Sequence, residues 1–318
     1  LTERCQLACA HCITRAPETT AAGRARHLAP EVLTALTPHL AHARYVGFTH
    51  SGEPLLSPML GPFLDTLRAQ RQGAPTTVHL ISNGMALTER RFDELCAAGV
   101  TSWSISLDGL SAASNDALRV GAKVDVLLPR LRALAARKPS TARLGVSCTI
   151  TRSNLHELED LVRFAADAGL DWLKLEEVFP LNARAQHEAG FPRAQLEATL
   201  AQVRALADGL ALPLVDHPRT HEVWKCVPSV MTPDAARFAA ADDFANSRDI
   251  NPCFAPFEVV CVEPDGAVKP EDFHQPAVGT VLEHDLISLW NAGPFVARRQ
   301  LSLARRKCGD RPTCPGAV

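Results

Sequence analysis

The sequence predicts an α/β fold in which parallel strands curl into an open or incomplete barrel, on three observations. Short apolar segments alternate with amphipathic ones through the first half of the chain, the order expected of repeated strand–helix units. Within the strand segments apolar residues fall at every second position. The positions between them are polar. A sheet sandwiched between two helical layers would be apolar on both faces, so this alternation implies helices on one side and a polar, ligand-accessible interior on the other.

The first strand is expected at YVGFT (45–49). It leads toward SPMLGPFLDTLRAQ (57–70), where Ser57 reads as an N-cap and Pro58 as the first helical residue, with Leu60, Phe63, Leu64 and Leu67 on one face. Further strands are expected at TVHLI (77–81), SWSISL (102–107), RLGVSCTI (143–150) and DWLKLE (171–176). In SWSISLD, Trp103, Ile105 and Leu107 point one way while Ser102, Ser104, Ser106 and Asp108 point the other. Val146, Cys148 and Ile150 likewise oppose Ser147, Thr149 and Thr151. NLHELEDLVRFAADAG (154–169) opens with Asn154, places Glu157 three residues on like a capping box, and stops at Gly169.

From about residue 179 to 252 the pattern loosens. A helix at PRAQLEATLAQVRALADG (192–209) is clear, and ARFAAADDFANSRDINP (236–252) reads as a connecting region. CFAPFEVVCVEPDGAVKP (253–270) reads as a hairpin turning at Pro264-Asp265-Gly266. A helix near DLISLWNAG (285–293) and a terminal cysteine-bearing loop follow.

At 318 residues the chain is long enough for a barrel plus a small appendage, and two units are expected. A hydrophobic fraction of 46%, 21% charged residues and a net charge of -2 describe a globular chain that buries a core. They exclude the concentrated basic field that a nucleic-acid binder needs, and 5% aromatics argues against base-stacking platforms. No apolar run is long enough to span a bilayer and no charged-then-apolar leader is evident, so the expected location is the cytoplasm, with no membrane partner.

Ten cysteines gather toward the two ends, at 5, 9, 12 and at 253, 261, 308, 314, with Cys96, Cys148 and Cys226 between. In a chain without a secretion signal such clusters point to metal sites rather than disulfides. The opening LTERCQLACAHCITRA supplies three thiols in one tight loop, whereas a structural zinc site closes with four ligands. Three thiolates on a cubane [4Fe–4S] cluster leave one iron open to a substrate or cofactor.

Here the chain resembles the radical S-adenosylmethionine (radical SAM) superfamily, whose CxxxCxxC loop matches Cys5, Cys9 and Cys12. YVGFT runs into His50-Ser51-Gly52-Glu53-Pro54, similar to the family's Gly-Gly-Glu-Pro segment that holds the amino group of SAM. Ser51 stands where the family has its first glycine. The next strand ends in Ser82-Asn83-Gly84, similar to the family's Thr-Asn-Gly. SISLDG, followed by Asn115-Asp116 and Arg119, resembles the pattern that contacts the ribose and carboxylate of SAM. These motifs cover residues 1–176 in order. The resemblance implies a partial (β/α)6 TIM-like barrel, a [4Fe–4S] cluster on Cys5, Cys9 and Cys12 with SAM at its open iron, and SAM contacts from Ser51, Gly52, Glu53, Pro54, Ser82, Asn83, Ser106, Asp108, Arg119 and Thr149. It also implies reductive cleavage of SAM to a 5′-deoxyadenosyl radical, with electrons from an external one-electron reductant such as flavodoxin or ferredoxin. Only Leu1-Thr2-Glu3 precede the loop where the family has a first strand, so residues upstream are expected to be missing from this sequence.

Residues 253–314 resemble the SPASM/Twitch extension of the same superfamily through Cys253, the Asp265-Gly266 hairpin, Val278-Gly279-Thr280-Val281, Leu289-Trp290, Cys308 and Cys314. Gly266-Ala267-Val268-Lys269-Pro270 is followed by Glu271-Asp272 where that pattern has a cysteine. One auxiliary [4Fe–4S] cluster on Cys253, Cys261, Cys308 and Cys314 is expected, with Glu271 or Asp272 as a possible replacement ligand. The alternative is a decayed site with Cys261 packed as a small apolar residue. The expected organisation is a radical SAM core over 1–178, the last barrel helix and a connecting region over 179–252, and a SPASM/Twitch-like domain over 253–318.

Alternation along DWLKLE turns Trp172, Lys174 and Glu176 inward, opposite Leu173 and Leu175. Glu176 is a candidate to bind substrate or accept a proton; an internal ion pair or a rim carboxylate is the alternative. Cys226 is a candidate hydrogen-atom donor to a substrate radical, and packing is the alternative. Cys96 and Cys148 read as core, and His11 as a neighbour shaping the cluster loop. The expected substrate is a peptide or peptide-like molecule. Oxidation or epimerisation of a small natural-product precursor is the alternative, and a non-catalytic iron–sulfur electron carrier is the alternative of another class.

Overall fold

The structure, a computed structural model, describes residues 1–49, 51–180, 182–217, 255–270 and 276–303. Its centre is a sheet of six parallel strands. They are β2 (Tyr45–Phe48), β3 (Thr77–Ser82), β4 (Ser102–Ser106), β6 (Arg143–Ile150), β7 (Trp172–Glu177) and β8 (Leu214–His217), paired in that order, with no pairing between β2 and β8 to close the barrel. Two short strands, β1 (Ala8–Cys9) and β5 (Arg119–Val120), pair antiparallel beside the sheet. The parallel order follows from the helices that return the chain to the same end of the sheet after each strand.

Those helices are α2 (Pro30–Leu40), α3 (Leu60–Arg71), α4 (Glu89–Ala97), α5 (Val124–Arg137), α6 (Leu158–Asp167) and α8 (Arg193–Gly209), with two single-turn pieces, α1 (Ala16–Ala21) and α7 (Ala183–Glu188). On α3 the residues Leu60, Phe63, Leu64 and Leu67 recur at helical spacing and are buried. They join Leu131, Leu161 and Leu200 of the other helices and Leu80, Trp103, Ile105, Val146, Leu173 and Leu175 of the strands in one apolar cluster. The inward positions are polar. Ser104 Oγ lies 2.7 Å from Ser147 Oγ, and His79 Nδ1 lies 2.8 Å from Ser102 Oγ. The period-two expectation therefore holds: helices cover one face of the sheet and polar side chains line the other.

Three details differ from the sequence reading. Helix α3 begins at Leu60, not at Pro58, because Pro54–Leu56 form a 3-10 turn first; Ser57 Oγ still accepts from Met59 N, at 3.2 Å. Asn154 and Glu157 form no capping box. A 3-10 turn (Leu155–Glu157) intervenes before α6, and both side chains leave the helix end for the segment after β4, described below. The strand β8 was not foreseen. It follows α8, which falls where its helix was expected.

The expected hairpin forms, from β9 (Val260–Val262) through a turn at Pro264 and Asp265 to β10 (Ala267–Pro270), with β11 (Gly279–Thr280) on its other side. This small sheet is not separate from the barrel. Val268, Val281, Leu289 and Phe295 share the barrel's apolar cluster, Ala29 N donates to Pro264 O at 3.2 Å, and Arg26 bridges Glu3 and Asp265. The connecting region at 236–252 and the terminal loop lie outside the described residues. Among the described residues no helix is long and apolar enough to cross a membrane.

Candidate active site

The loop from Cys5 to Cys12 is held on three sides. Leu7 is buried, β1 pairs Cys9 with Arg119, and Ala10 N donates to Leu118 O at 2.8 Å. Asn182 Nδ2 donates to Ala10 O at 3.0 Å, and Thr20 Oγ1 accepts from Cys5 N at 3.1 Å. Cys5, Cys9 and Cys12 are each half-buried and in no disulfide. The thiols are neighbours: Cys12 is near enough to raise the pKa of Cys5, and both Cys12 and Cys5 are near enough to raise that of Cys9.

Burial pushes the Cys9 thiol up to about 11, against the Arg119 guanidinium that favours its thiolate; burial also raises Cys5. Both would therefore release a proton on binding iron. Among the described residues no three His, Cys, Asp or Glu side chains converge on a point where one ion would touch all three. Three thiols on one loop are a donor set that a cubane can use, since it offers a separate iron to each thiolate. Beside Cys5 a cavity of about 510 Å³ is lined by Arg4, Cys5, Gln6, Thr20 and Leu56.

The 51–54 segment lies directly on the chain leading into this loop. Glu53 N donates to Arg4 O at 2.7 Å, and Gly52 has φ +66° with no room for a side chain: a Cβ there would sit 2.5 Å from the carbonyl oxygens of Arg4 and Thr2. Gly52→Ala is thus expected to lower stability by about 2 kcal/mol or more and to disturb the cluster loop through Arg4. Ser51 also has a left-handed backbone, at φ +63°, so Ser51→Gly should be neutral or stabilising by up to about 1 kcal/mol. Chemical denaturation of the two variants measures the contrast. Gly52→Ala as stable as the parent would contradict the close approach.

Glu53 is 1% exposed, and its carboxylate is occupied by the protein itself. Oε1 accepts from Ser82 Oγ and Oε2 from Asn83 N, both at 2.8 Å, and Leu55 N adds a bond at 3.2 Å. Its side chain therefore locks the 51–54 segment to the end of β3. Burial raises its pKa, and the bonds from Asn83, Ser82 and Leu55 work the other way. Asn83 in turn accepts from Gln6 Nε2 at 3.0 Å and points Nδ2 at Cys5 Sγ, 3.8 Å away. Pro54, buried, opens the 3-10 turn.

Asp108 follows β4 and is fully buried. Its carboxylate lies 2.7 Å from Arg119 Nε and accepts from Arg119 Nη2 and Thr149 N, each at 2.8 Å; His11 Nε2 is 3.3 Å away. Burial drives the His11 imidazole toward its neutral form. The carboxylate thus fixes Arg119, which lies across from Cys9, and joins the cluster loop to β4 and β6. Ser106 sits half-buried at the end of β4, in register with Ser147. Cys148 is core, as expected, and Cys96 is half-buried against it.

Glu176 is exposed at the end of β7, with Oε1 2.7 Å from the buried Lys174 Nζ. Cys261 is half-buried on β9, opposite Lys269. Cys226, Cys253, Cys308 and Cys314 lie outside the described residues, as do His50, Glu271 and Asp272.

Gln6, Asn154, Glu157 and Asn182 belong to the site's framework and were not singled out as such in the sequence. Asn154 Nδ2 donates to Asp108 O at 2.6 Å and to Thr149 O at 2.8 Å, while its Oδ1 accepts from Thr151 N. Only the Asn154–Glu157 spacing left a trace, and it pointed to a helix cap.

Comparison with known proteins gives this geometry a context. A family model for the radical SAM superfamily matches residues 1–165. Mycofactocin maturase MftC of Mycobacterium tuberculosis is 28% identical over 169 residues, which are 53% of this chain and 41% of that protein, so the chain spans about two fifths of that relative's length. Among solved structures, Streptococcus suis SuiB bound to precursor peptide SuiA superposes with a TM-score of 0.66 at 13% identity, covering 93% of this chain and 64% of the other. Native anSMEcpe with bound AdoMet and Cp18Cys peptide gives a TM-score of 0.66 at 14% identity, covering 98% and 83%.

Proposed function

The chain belongs to the radical SAM superfamily, and from that premise we propose that it cleaves SAM reductively and abstracts a hydrogen atom from a peptide or peptide-like substrate. The observation that carries the reading is the joint placement of three neighbouring thiols, the locked 51–54 segment and the Asp108–Arg119 pair around one end of the sheet. When bound, the [4Fe–4S] cluster and SAM supply the electron and the 5′-deoxyadenosyl radical.

Cys5, Cys9 and Cys12 hold the cluster. The backbone of Ser51, Gly52, Glu53 and Pro54 with Ser82 and Asn83 would hold the SAM amino group, and Ser106, Asp108, Arg119 and Thr149 would hold its ribose and carboxylate. The polar inner face between them holds the substrate C–H close and away from competing hydrogen donors. Glu176 at the inner rim binds substrate or receives a proton, with Lys174 steadying its charge, and Cys226 serves as a hydrogen-atom donor if the product is an epimer. One auxiliary cluster is held by Cys253, Cys261, Cys308 and Cys314, and an external one-electron reductant such as flavodoxin or ferredoxin feeds the site. The peptide choice is supported by the relatives: MftC is named a maturase, and the SuiB and anSMEcpe structures carry peptides.

The test is anaerobic incubation of the reconstituted protein with SAM, reductant and a short peptide encoded beside its gene. Peptide-dependent 5′-deoxyadenosine and a changed peptide mass are expected. An unchanged peptide, with turnover on a small-molecule precursor instead, would replace the substrate class by the dehydrogenase or epimerase alternative.

A further inference from the structure

The segment from Asp108 to Arg119 carries both halves of the buried ion pair, yet its own pairing is slight. Between β4 and β5 it makes one π-helical turn (Ala112–Asp116). What fastens its outer edge is a carboxylate from another element. Glu157, at the start of α6, accepts from Leu110 N at 2.8 Å and Ser114 Oγ at 2.7 Å through Oε2, and from Ser111 Oγ at 3.0 Å through Oε1.

Ser111 and Ser114 are themselves a reciprocal cap. Ser114 N donates to Ser111 Oγ at 3.2 Å, and Ser111 N donates to Ser114 Oγ at 3.3 Å. Glu157 thus accepts a hydrogen bond from each hydroxyl, while each oxygen accepts from a backbone N–H. Gly109 lies beneath this knot: a Cβ there would sit 2.1 Å from Ser114 Oγ and 2.9 Å from Glu157 Oε2. The knot can form only because the residue after Asp108 has no side chain.

Inside the segment the bonds run on toward Arg119. Asn115 Oδ1 accepts from Asp108 N at 3.0 Å, Asn115 Nδ2 donates to Asp116 Oδ1 at 2.9 Å, and Asp116 Oδ1 accepts from Val124 N at 3.0 Å. Loss of the Glu157 carboxylate would leave Leu110 N without its acceptor and return the two hydroxyls to Ser111 O and to each other, 3.2 and 2.9 Å away, so that nothing outside the segment would hold them.

We propose that Glu157 is a positioning residue for SAM: its carboxylate, from the 3-10 turn that precedes α6, holds the 108–119 segment so that Arg119 meets the cofactor in one geometry. The inference rests on the superfamily reading above and adds a residue to it. Glu157 itself touches neither the thiols nor the inner face. Its effect passes through Ser111, Ser114 and Leu110.

The experiment uses the reconstituted protein and its Glu157→Ala and Glu157→Gln variants, with iron content and thermal midpoint measured alongside. Equilibrium dialysis against labelled SAM should show affinity weakened on the order of tenfold in Glu157→Ala at unchanged iron content, and largely restored in Glu157→Gln, which keeps an acceptor oxygen. Amide hydrogen exchange on the reconstituted protein should be faster in Glu157→Ala over 110–119 and unchanged over 77–82. SAM affinity within twofold of the parent in Glu157→Ala, or exchange unchanged over 110–119, would overturn the inference. A Glu157→Ala protein that fails to fold, beside a folded Glu157→Gln with parental exchange and tenfold weaker SAM binding, would also overturn it, because the carboxylate's charge rather than its hold on the segment would then matter. A parent protein that binds iron but no SAM would overturn the reading underneath, and this inference with it.

Discussion

Cys9→Ala is expected to lose the iron of the three-thiol site and to reduce 5′-deoxyadenosine formation by more than roughly a hundredfold, since even residues that only support metal ligands cost 10–100-fold when replaced. The substitution is mild for the apo-protein. Cys9 lies half-buried in a two-residue strand whose backbone pairing with Arg119 and Val120 does not depend on its sulfur. Cys96→Ala supplies the control. That thiol is half-buried on α4, away from the loop, and its variant should keep both iron and activity. Equal iron content in Cys9→Ala and the parent would remove Cys9 from the ligand set.

The second large effect is expected on stability. Asp108 is fully buried against an Arg119 that is 9% exposed, and Asp108→Ala would leave that guanidinium without its counter-charge. Removing one partner of such a pair costs about 3–5 kcal/mol. Burial works against the Arg119 charge while the Asp108 carboxylate and Cys9 favour it; a guanidinium is too basic to give up its proton at neutral pH, so without Asp108 it stays charged and buried. Asp108→Ala combined with Arg119→Met should therefore cost less than the two single changes added together. Urea unfolding of the three variants tests the coupling. Additive costs would mean that the two groups do not stabilise each other.

Much of the fold was legible in the sequence because the barrel has one apolar and one polar face. Trp103, Ile105 and Leu107 against Ser102, Ser104 and Ser106 is a pattern that a strand imposes locally, and strands β2, β3, β4, β6 and β7 fall within a residue or so of their expected positions. The strand β8 was not legible, since Leu214, Val215, Asp216 and His217 are too few to display an alternation and gain their pairing from β7 alone. Helix starts were misread where a capping residue had a better partner at a distance. Asn154 and Glu157 have the spacing of a capping box, but their side chains reach back 43 to 47 positions to Asp108, Leu110, Ser111 and Ser114.

The site divides in the same way. The Cys5, Cys9 and Cys12 spacing is local and readable. The destinations of Glu53 and Asp108 are set by long-range packing, so the sequence named them as cofactor contacts while the structure shows their carboxylates engaged with Ser82, Asn83, Arg119 and Thr149. In the C-terminal part the hairpin was readable from Pro264-Asp265-Gly266, but its docking on residues 26–29 through Arg26 and Ala29 had no local signal.

The central claim is that three thiols hold a cubane whose open corner serves SAM. Its most direct test is anaerobic reconstitution followed by SAM and a strong reductant, with iron, sulfide and 5′-deoxyadenosine measured on the same sample. The account predicts about four irons lost together in the Cys5, Cys9 and Cys12 variants, and 5′-deoxyadenosine formed only by the parent. An iron-loaded parent that leaves SAM intact would contradict it and point to an electron carrier.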